Sequence, residues 1–355
     1  MTRAALPSWA EYALLPALNL AAALVVSGLV IVAIGEDPLR ALEVLVEGAV
    51  GYPEAVGFTL FYATGFIFTG LAVAVPFHAG LFNIGGEGQA YLGGLGAALV
   101  CLDWPTLPPA LLVPAAILAA ALFGALWALV PAWLQAWRGS HIVITTIMFN
   151  FIASALMTYL LVEVLIAPGQ AAPESLPFAP AAWLPTFGGA LPQLGAAPLN
   201  FAFPLALFCC VALWVFLWRT RWGYAIRAAG FNPTAARYGG ISIGATVLLS
   251  MGIGGALAGL MAVNEIMGAQ HRLLLNFTAG AGFVDIAVAL MGRNHPLGII
   301  VAALLFGALY QGGAELAFEM PTVRRELVVV IEGLVILFCG ALEHFFRAPL
   351  ERWLR

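Results

Sequence analysis

Long apolar runs, each interrupted by a few polar or glycine-rich positions, follow one another along the whole chain. A helix needs about 20 apolar residues to cross the core of a bilayer. Runs approaching that length lie near residues 13–34, 57–76, 87–101, 110–135, 142–166, 201–218, 240–262, 276–292, 298–316 and 326–343. The pattern predicts about ten transmembrane helices. The first run is too long for the apolar part of a signal peptide, and no cleavage site follows it, so it is expected to stay as a helix. Residues 167–200 carry too many prolines and glycines for a helix and are expected to form a long external loop capping the bundle. The expected fold class is an all-α polytopic membrane protein with some helices broken or re-entrant.

Composition agrees with that pattern. Of 355 residues, 63% are hydrophobic and 9% charged, where a soluble domain carries about a quarter charged. Every basic residue is an arginine. With ten spans and the N-terminus inside, Arg3, Arg138, Arg219, Arg221, Arg227, Arg237, Arg293, Arg347, Arg352 and Arg355 fall on the cytoplasmic side. Only Arg40, Arg272, Arg324 and Arg325 fall outside. That asymmetry fits the positive-inside rule and predicts cytoplasmic termini.

Missing residue types exclude several chemistries. A nucleotide-binding P-loop needs a lysine to reach the phosphates, and the chain has none. The five histidines show no zinc-binding spacing, so no metal and no catalytic residue is expected. Cys101, Cys209, Cys210 and Cys339 lie inside apolar runs and form no C-x-x-C pair; they read as small buried hydrophobes. Nothing resembles a basic face for nucleic acid.

Residues 80–94, GLFNIGGEGQAYLGG, place six glycines and Glu87 between two apolar runs. A continuous helix there would cost about 1 kcal/mol per glycine relative to alanine. Irregular backbone at membrane depth survives only when buried in protein or lining a wet cavity. Glu87 is expected to accept hydrogen bonds from amides freed at the break, with Asn83 and Gln89 completing the network. Two roles stay open for it: a staple of the broken helix, or a group that meets solute in passing. In HIVITTIMFN, Thr146 and Asn150 are four apart and share a helix face. Asp285 sits in a short apolar run bounded by AGAGF and GRNHP, and Glu332 in the last run. Asn83, Glu87, Gln89, Thr146, Asn150 and Asp285 are the candidates for lining a pathway.

Residues 219–242, RTRWGYAIRAAGFNPTAARYGGIS, form the most polar inner loop and read as one short helix with marked ends. Asn232 suits an N-cap, Pro233 the first helical position, and Gly239-Gly240 a left-handed stop. One or two turns are not stable alone in water. Such a helix persists by docking, and Ala235 and Ala236 would allow a partner close while Arg237 and Tyr238 offer polar contacts.

This loop resembles the coupling segment of permease subunits of bacterial ABC importers, in the superfamily serving branched-chain amino acids and simple sugars. GLFNIGGEGQAYLGG, HIVITTIMFNFIA, RAAGFNPTAARYGGIS and GFVDIAVALMGRNHPLG occur in the family's order over residues 57–340 and are most similar to the nucleoside (guanosine-type) permeases. The resemblance implies a permease domain over 57–343, with the external loop at 167–200 and the coupling loop at 219–242. Residues 1–56 would be an N-terminal helix and external segment, and 344–355 a cytoplasmic tail. It further implies Arg227, Asn232, Pro233, Ala235, Ala236, Arg237, Tyr238 and Gly239 at the ATPase contact. The implied partners are a second, shorter permease in a heterodimer, a cytoplasmic ABC ATPase carrying ATP and Mg, an extracytoplasmic substrate-binding protein and the lipid of the inner membrane. No cofactor is expected on this chain. The expected function is half of an import path for a nucleoside or similar hydroxyl-rich solute. The alternative is an ion-coupled secondary transporter using Glu87, Asp285 or Glu332, since buried carboxylates and broken helices suit that class too.

Overall fold

The computed structural model describes Pro7 and residues 14–166, 169–189, 191–278 and 281–338. Among these residues there is no β-strand, only isolated bridges. Thirteen α-helices follow in order: α1 (Leu15–Ala33), α2 (Pro38–Val46), α3 (Pro53–His78), α4 (Gly86–Asp103), α5 (Pro109–Arg138), α6 (Ile142–Tyr159), α7 (Ala202–Arg219), α8 (Arg221–Phe231), α9 (Pro233–Tyr238), α10 (Ile243–Ala262), α11 (Ala281–Met291), α12 (Pro296–Glu319) and α13 (Arg325–Ile336). Single π turns extend α2, α6 and α10 over Glu47–Gly51, Leu160–Val164 and Val263–Met267. Among the described residues, six helices are long and apolar enough to cross a membrane: α3, α5, α7, α12, and α6 and α10 with their π turns.

α3 starts where Tyr52 is extended and Pro53 supplies the first helical residue. It is apolar on every face and buried over most of its length, so it forms the centre of the bundle. α10 lies between α3 and α5. Its approach to α5 is a backbone contact: a Cβ on Gly259 would stand 2.2 Å from the carbonyl oxygen of Ala120, and one on Gly124 2.3 Å from that of Gly255. Small residues at such crossings let dispersion forces act between main chains, which is how helices associate in lipid. The outward faces of α5, α6 and α7 instead expose Leu118, Leu122, Phe151, Phe208 and Val211.

Three elements differ from the sequence reading. α2 was not anticipated; Asp37 caps it through Leu39 N at 2.8 Å, and its nine residues pack against α12 rather than span. The inner loop holds two helices, not one. Thr220 caps α8 by accepting from Gly223 N at 3.1 Å. Two glycines of α8 serve close packing: a Cβ on Gly223 would lie 2.2 Å from Phe216 O, and one on Gly230 2.2 Å from His78 O. Finally, the run 276–292 has helix over Ala281–Met291, and its residues 276–278 belong to an irregular segment pinned elsewhere. Ser175 N donates to Leu273 O at 2.9 Å, Phe178 N to His271 O at 2.8 Å, and Asn276 has a left-handed φ of 58°.

The loop after α6 covers one end of the bundle. Phe178, Ala182 and Leu184 are buried in it, Trp183 stacks on His271 at 4.1 Å, and Arg272 pairs with Glu174 at 2.8 Å. Cys101 and Cys210 are buried and Cys209 half-buried, all with free thiols; Cys339 lies outside the described residues.

Candidate functional site

The break anticipated from the glycines lies between α3 and α4. After His78 the chain turns at Gly80 (φ 74°), runs without helix, and re-enters helix at Gly86. Gly80 sits against Gly230 of α8, so the break begins at the end of the bundle that carries α8 and α9. It then leads inward. Asn83 and Gln89 are buried and exchange two side-chain hydrogen bonds, each 3.0 Å long, and Asn83 Oδ1 also accepts from Gly85 N at 3.0 Å. Asn150 of α6 spans the break itself: its Oδ1 accepts from Gly88 N at 2.9 Å and its Nδ2 donates to Ile84 O at 2.8 Å. Thr146 spends its hydroxyl on Ile142 O at 2.8 Å and packs its Cβ against Gly85. The amides of Gly85 and Gly88 thus go to Asn83 and Asn150, a task the sequence reading gave to Glu87.

Glu87 is half-buried and accepts from the Thr278 hydroxyl. One turn on, Tyr91 donates to Asn276 Oδ1 at 3.0 Å. The first turns of α4 therefore lie along the irregular segment 268–278. Asp285 of α11 is 1% exposed, with the Thr69 hydroxyl of α3 in reach of its carboxylate. It faces the first residue of α4, since a Cβ on Gly86 would lie 3.4 Å from Asp285 Oδ2. The positive end of the α4 dipole lies there.

Beside this junction is a cavity of about 310 Å³, within the size range of small-molecule sites. Phe61, Tyr62 and Phe66 of α3, Tyr310 of α12, Glu265 of the π turn and Asn276 line it. Tyr62 and Tyr310 continue into a second cavity of about 280 Å³ that reaches Glu332. The sequence reading missed Glu265, Tyr62, Tyr310 and Thr278. Glu265 falls just past the run 240–262, and a π turn decides where it points.

At the opposite end, Asn232 Oδ1 accepts from Ala235 N at 3.0 Å, Pro233 begins α9, and Gly240 (φ 83°) ends it after Gly239. Arg227 turns back to donate from Nε to Leu217 O at 3.1 Å. Ala235 and Arg237 are exposed, whereas Ala236 is turned inward against the chain itself. Phe231 and Tyr238 stand out at 91% and 92% exposure.

Long apolar helices, an irregular break between α3 and α4 beside a cavity, and a protruding capped corner fit a multi-pass membrane protein. The model of the branched-chain amino acid transport system permease component matches residues 55–340, and the chain belongs to that family. It is 37% identical to a glucose ABC transporter permease protein of Haloferax volcanii, over 97% of this chain and 91% of the relative. It is 32% identical to a nucleoside ABC transporter permease protein of Lactococcus lactis subsp. cremoris, over 92% of this chain and 90% of that one. A guanosine ABC transporter permease protein of Bacillus subtilis is also 32% identical, over 93% and 94%. No solved structure matches the chain.

Proposed function

We propose that the chain is the permease subunit of an ATP-driven importer and forms half of a path for a nucleoside or sugar. The observation that carries this reading is the α8–α9 corner. Two almost fully exposed aromatic rings flank a six-residue helix too short to hold itself, and such a surface calls for a protein partner. In this reading the corner is the coupling helix, docked on a cytoplasmic ABC ATPase that carries ATP and Mg. Phe231, Asn232, Pro233, Ala235, Arg237, Tyr238 and Gly239 meet it, while Arg227 and Ala236 brace it from within. Ten helices (α1, α3 to α7 and α10 to α13) cross the inner membrane, with both termini cytoplasmic and residues 167–200 outside. The break at Asn83–Gln89, held by Thr146 and Asn150, is buried in protein as irregular backbone in a membrane must be. Glu87 borders the path, and Asp285 lies behind it.

A heterodimer with a shorter permease is supported by the likeness of GLFNIGGEGQ to the longer member of nucleoside pairs. An external binding protein would deliver the solute. The ion-coupled alternative keeps one point in its favour, the buried carboxylate of Asp285, which no arginine pairs among the described residues. Purification of the tagged chain from native membranes separates the two. Co-isolation of an ABC ATPase supports the importer, and a chain that comes away alone yet carries solute down an ion gradient supports the alternative.

A further inference from the structure

Glu265 is held in place by a device that leaves its carboxylate without a partner. It lies in the π turn that ends α10, and a π insertion rotates the residues that follow it off the helix's regular faces. The neighbouring residue fixes the turn. Asn264 Nδ2 donates to Phe61 O at 3.3 Å, and its Oδ1 accepts from Asn200 Nδ2 at 3.1 Å. Gly268 closes it, since a Cβ there would meet Asn200 Nδ2 at 2.1 Å. With Asn264 tied to the protein, Glu265 is turned into the cavity. Among the described residues its carboxylate has no hydrogen bond and no ion pair, and no arginine lines the cavity. A carboxylate is costly at membrane depth unless something pairs with it.

The wall facing Glu265 is aromatic. Tyr62 and Tyr310 are 5.4 Å apart and tilted, and Phe66 meets Tyr310 edge-on at 5.5 Å. Gln270, Thr278 and Asn276 add polar groups to the lining, and Asn276 is locked by its left-handed backbone and by Tyr91. A carboxyl group with the amides of Gln270 and Asn276 beside it, and rings opposite, define a ligand. It presents two adjacent donors to the carboxylate and a flat or C–H-rich face to the rings. It carries no negative charge, because nothing in the cavity would balance one.

Resting on the permease reading above, we infer that this cavity is where the chain holds its solute during passage: an uncharged ring compound whose adjacent donors bind Glu265 while its ring lies on Tyr62, Phe66 and Tyr310. Vicinal hydroxyls of a pyranose or ribose and the N–H edge of a guanine share that chemistry. The assignment differs from the break at Asn83–Gln89, whose polar atoms are spent on one another.

The test uses the full importer in cells, with labelled guanosine and labelled glucose as the two probes. Glu265→Gln keeps shape and one acceptor but removes the charge, and Tyr310→Leu removes a ring that Tyr310→Phe restores. For the probe that wild type imports, Glu265→Gln should lower initial uptake about tenfold or more, the worth of a charge-assisted hydrogen bond. Tyr310→Leu should lower it as well, and Tyr310→Phe should recover most of it. All three should still co-purify with the ATPase. Millimolar probe should raise the melting temperature of the purified wild-type complex and leave the Glu265→Gln complex unshifted. Guanosine as the sole responding probe assigns the nucleoside, and glucose as the sole responder assigns the sugar; either supports the site. Wild-type uptake and an intact melting shift in both Glu265→Gln and Tyr310→Leu would overturn it while leaving the importer reading in place. Failure of the wild-type complex to retain an ATPase or to import either probe overturns the importer reading and this assignment with it.

Discussion

Replacing Asn150 with leucine removes the one side chain that bridges both edges of the break. Two bonds are lost, Gly88 N to Oδ1 at 2.9 Å and Nδ2 to Ile84 O at 2.8 Å. Side-chain hydrogen bonds between membrane helices measure about 0.6 kcal/mol on average, which sets a floor of about 1 kcal/mol for the pair. Ile84 lies in the break, however, and the Gly88 amide in the first turn of α4 has no acceptor within the helix, so leucine gives neither another partner. A buried backbone group left unpaired costs about 1–3 kcal/mol, so the pair reaches about 2–6 kcal/mol. Asn150 is only part-buried, which favours the lower half of that range. The assay is thermal melting of the detergent-solubilised protein followed by size-exclusion chromatography, alongside solute uptake in cells. Met148→Leu, on the exposed face of the same helix, is the control and should behave as wild type. Asn150→Leu should melt several degrees lower and lose most uptake. An unchanged melting temperature with full uptake would show that the break does not depend on α6 and would refute this account of it.

Other perturbations test separate parts of the structure. Gly259→Ala should abolish folded protein, because its methyl would stand 2.2 Å from Ala120 O, whereas Gly333→Ala, with nothing within 4 Å, should be neutral or slightly stabilising on melting. Asn232→Ala removes the α9 cap at a cost of about 1 kcal/mol and should weaken retention of the ATPase in pull-downs. Ala235→Glu or Tyr238→Glu should release the ATPase without lowering the melting temperature, while Ala236→Glu, turned inward, should lower it. With the native cysteines replaced, Gln193→Cys should react with an impermeant thiol reagent on intact cells, and Ser175→Cys, 0% exposed, should not. Labelling of Gln193→Cys only after membrane rupture would reverse the proposed topology.

Much of the fold was legible because its causes are local. All ten apolar runs contain helix, and the ends of α9 follow from Asn232, Pro233 and the glycine pair through bonds three or four residues long. The glycines of residues 80–94 likewise announced the break. What closes the break was legible only in part: Asn83 and Gln89 join in a network there as expected, but the Gly88 amide goes to Asn150. Asn150 reaches it from 62 residues away, and no spacing rule favours it over Glu87, the nearest polar group. α8 was not read as a separate helix, and the packing of its Gly223 and Gly230 against α7 and His78 exists only once the bundle has formed. Ala235 and Ala236 read alike in sequence, yet one faces outward and the other the chain's own interior. The direction of Glu265 depends on the π turn, which leaves no pattern in the residues around it.

The central claim is that this bundle moves solute by coupling to ATP hydrolysis on another chain. It is tested most directly by uptake into proteoliposomes containing the purified complex and the external binding protein. ATP would be supplied on the face that carries α8 and α9, and all ion gradients would be collapsed. The account predicts solute accumulation that requires ATP, persists without any gradient and stops in Tyr238→Glu. Accumulation that needs an ion gradient and ignores ATP would contradict it.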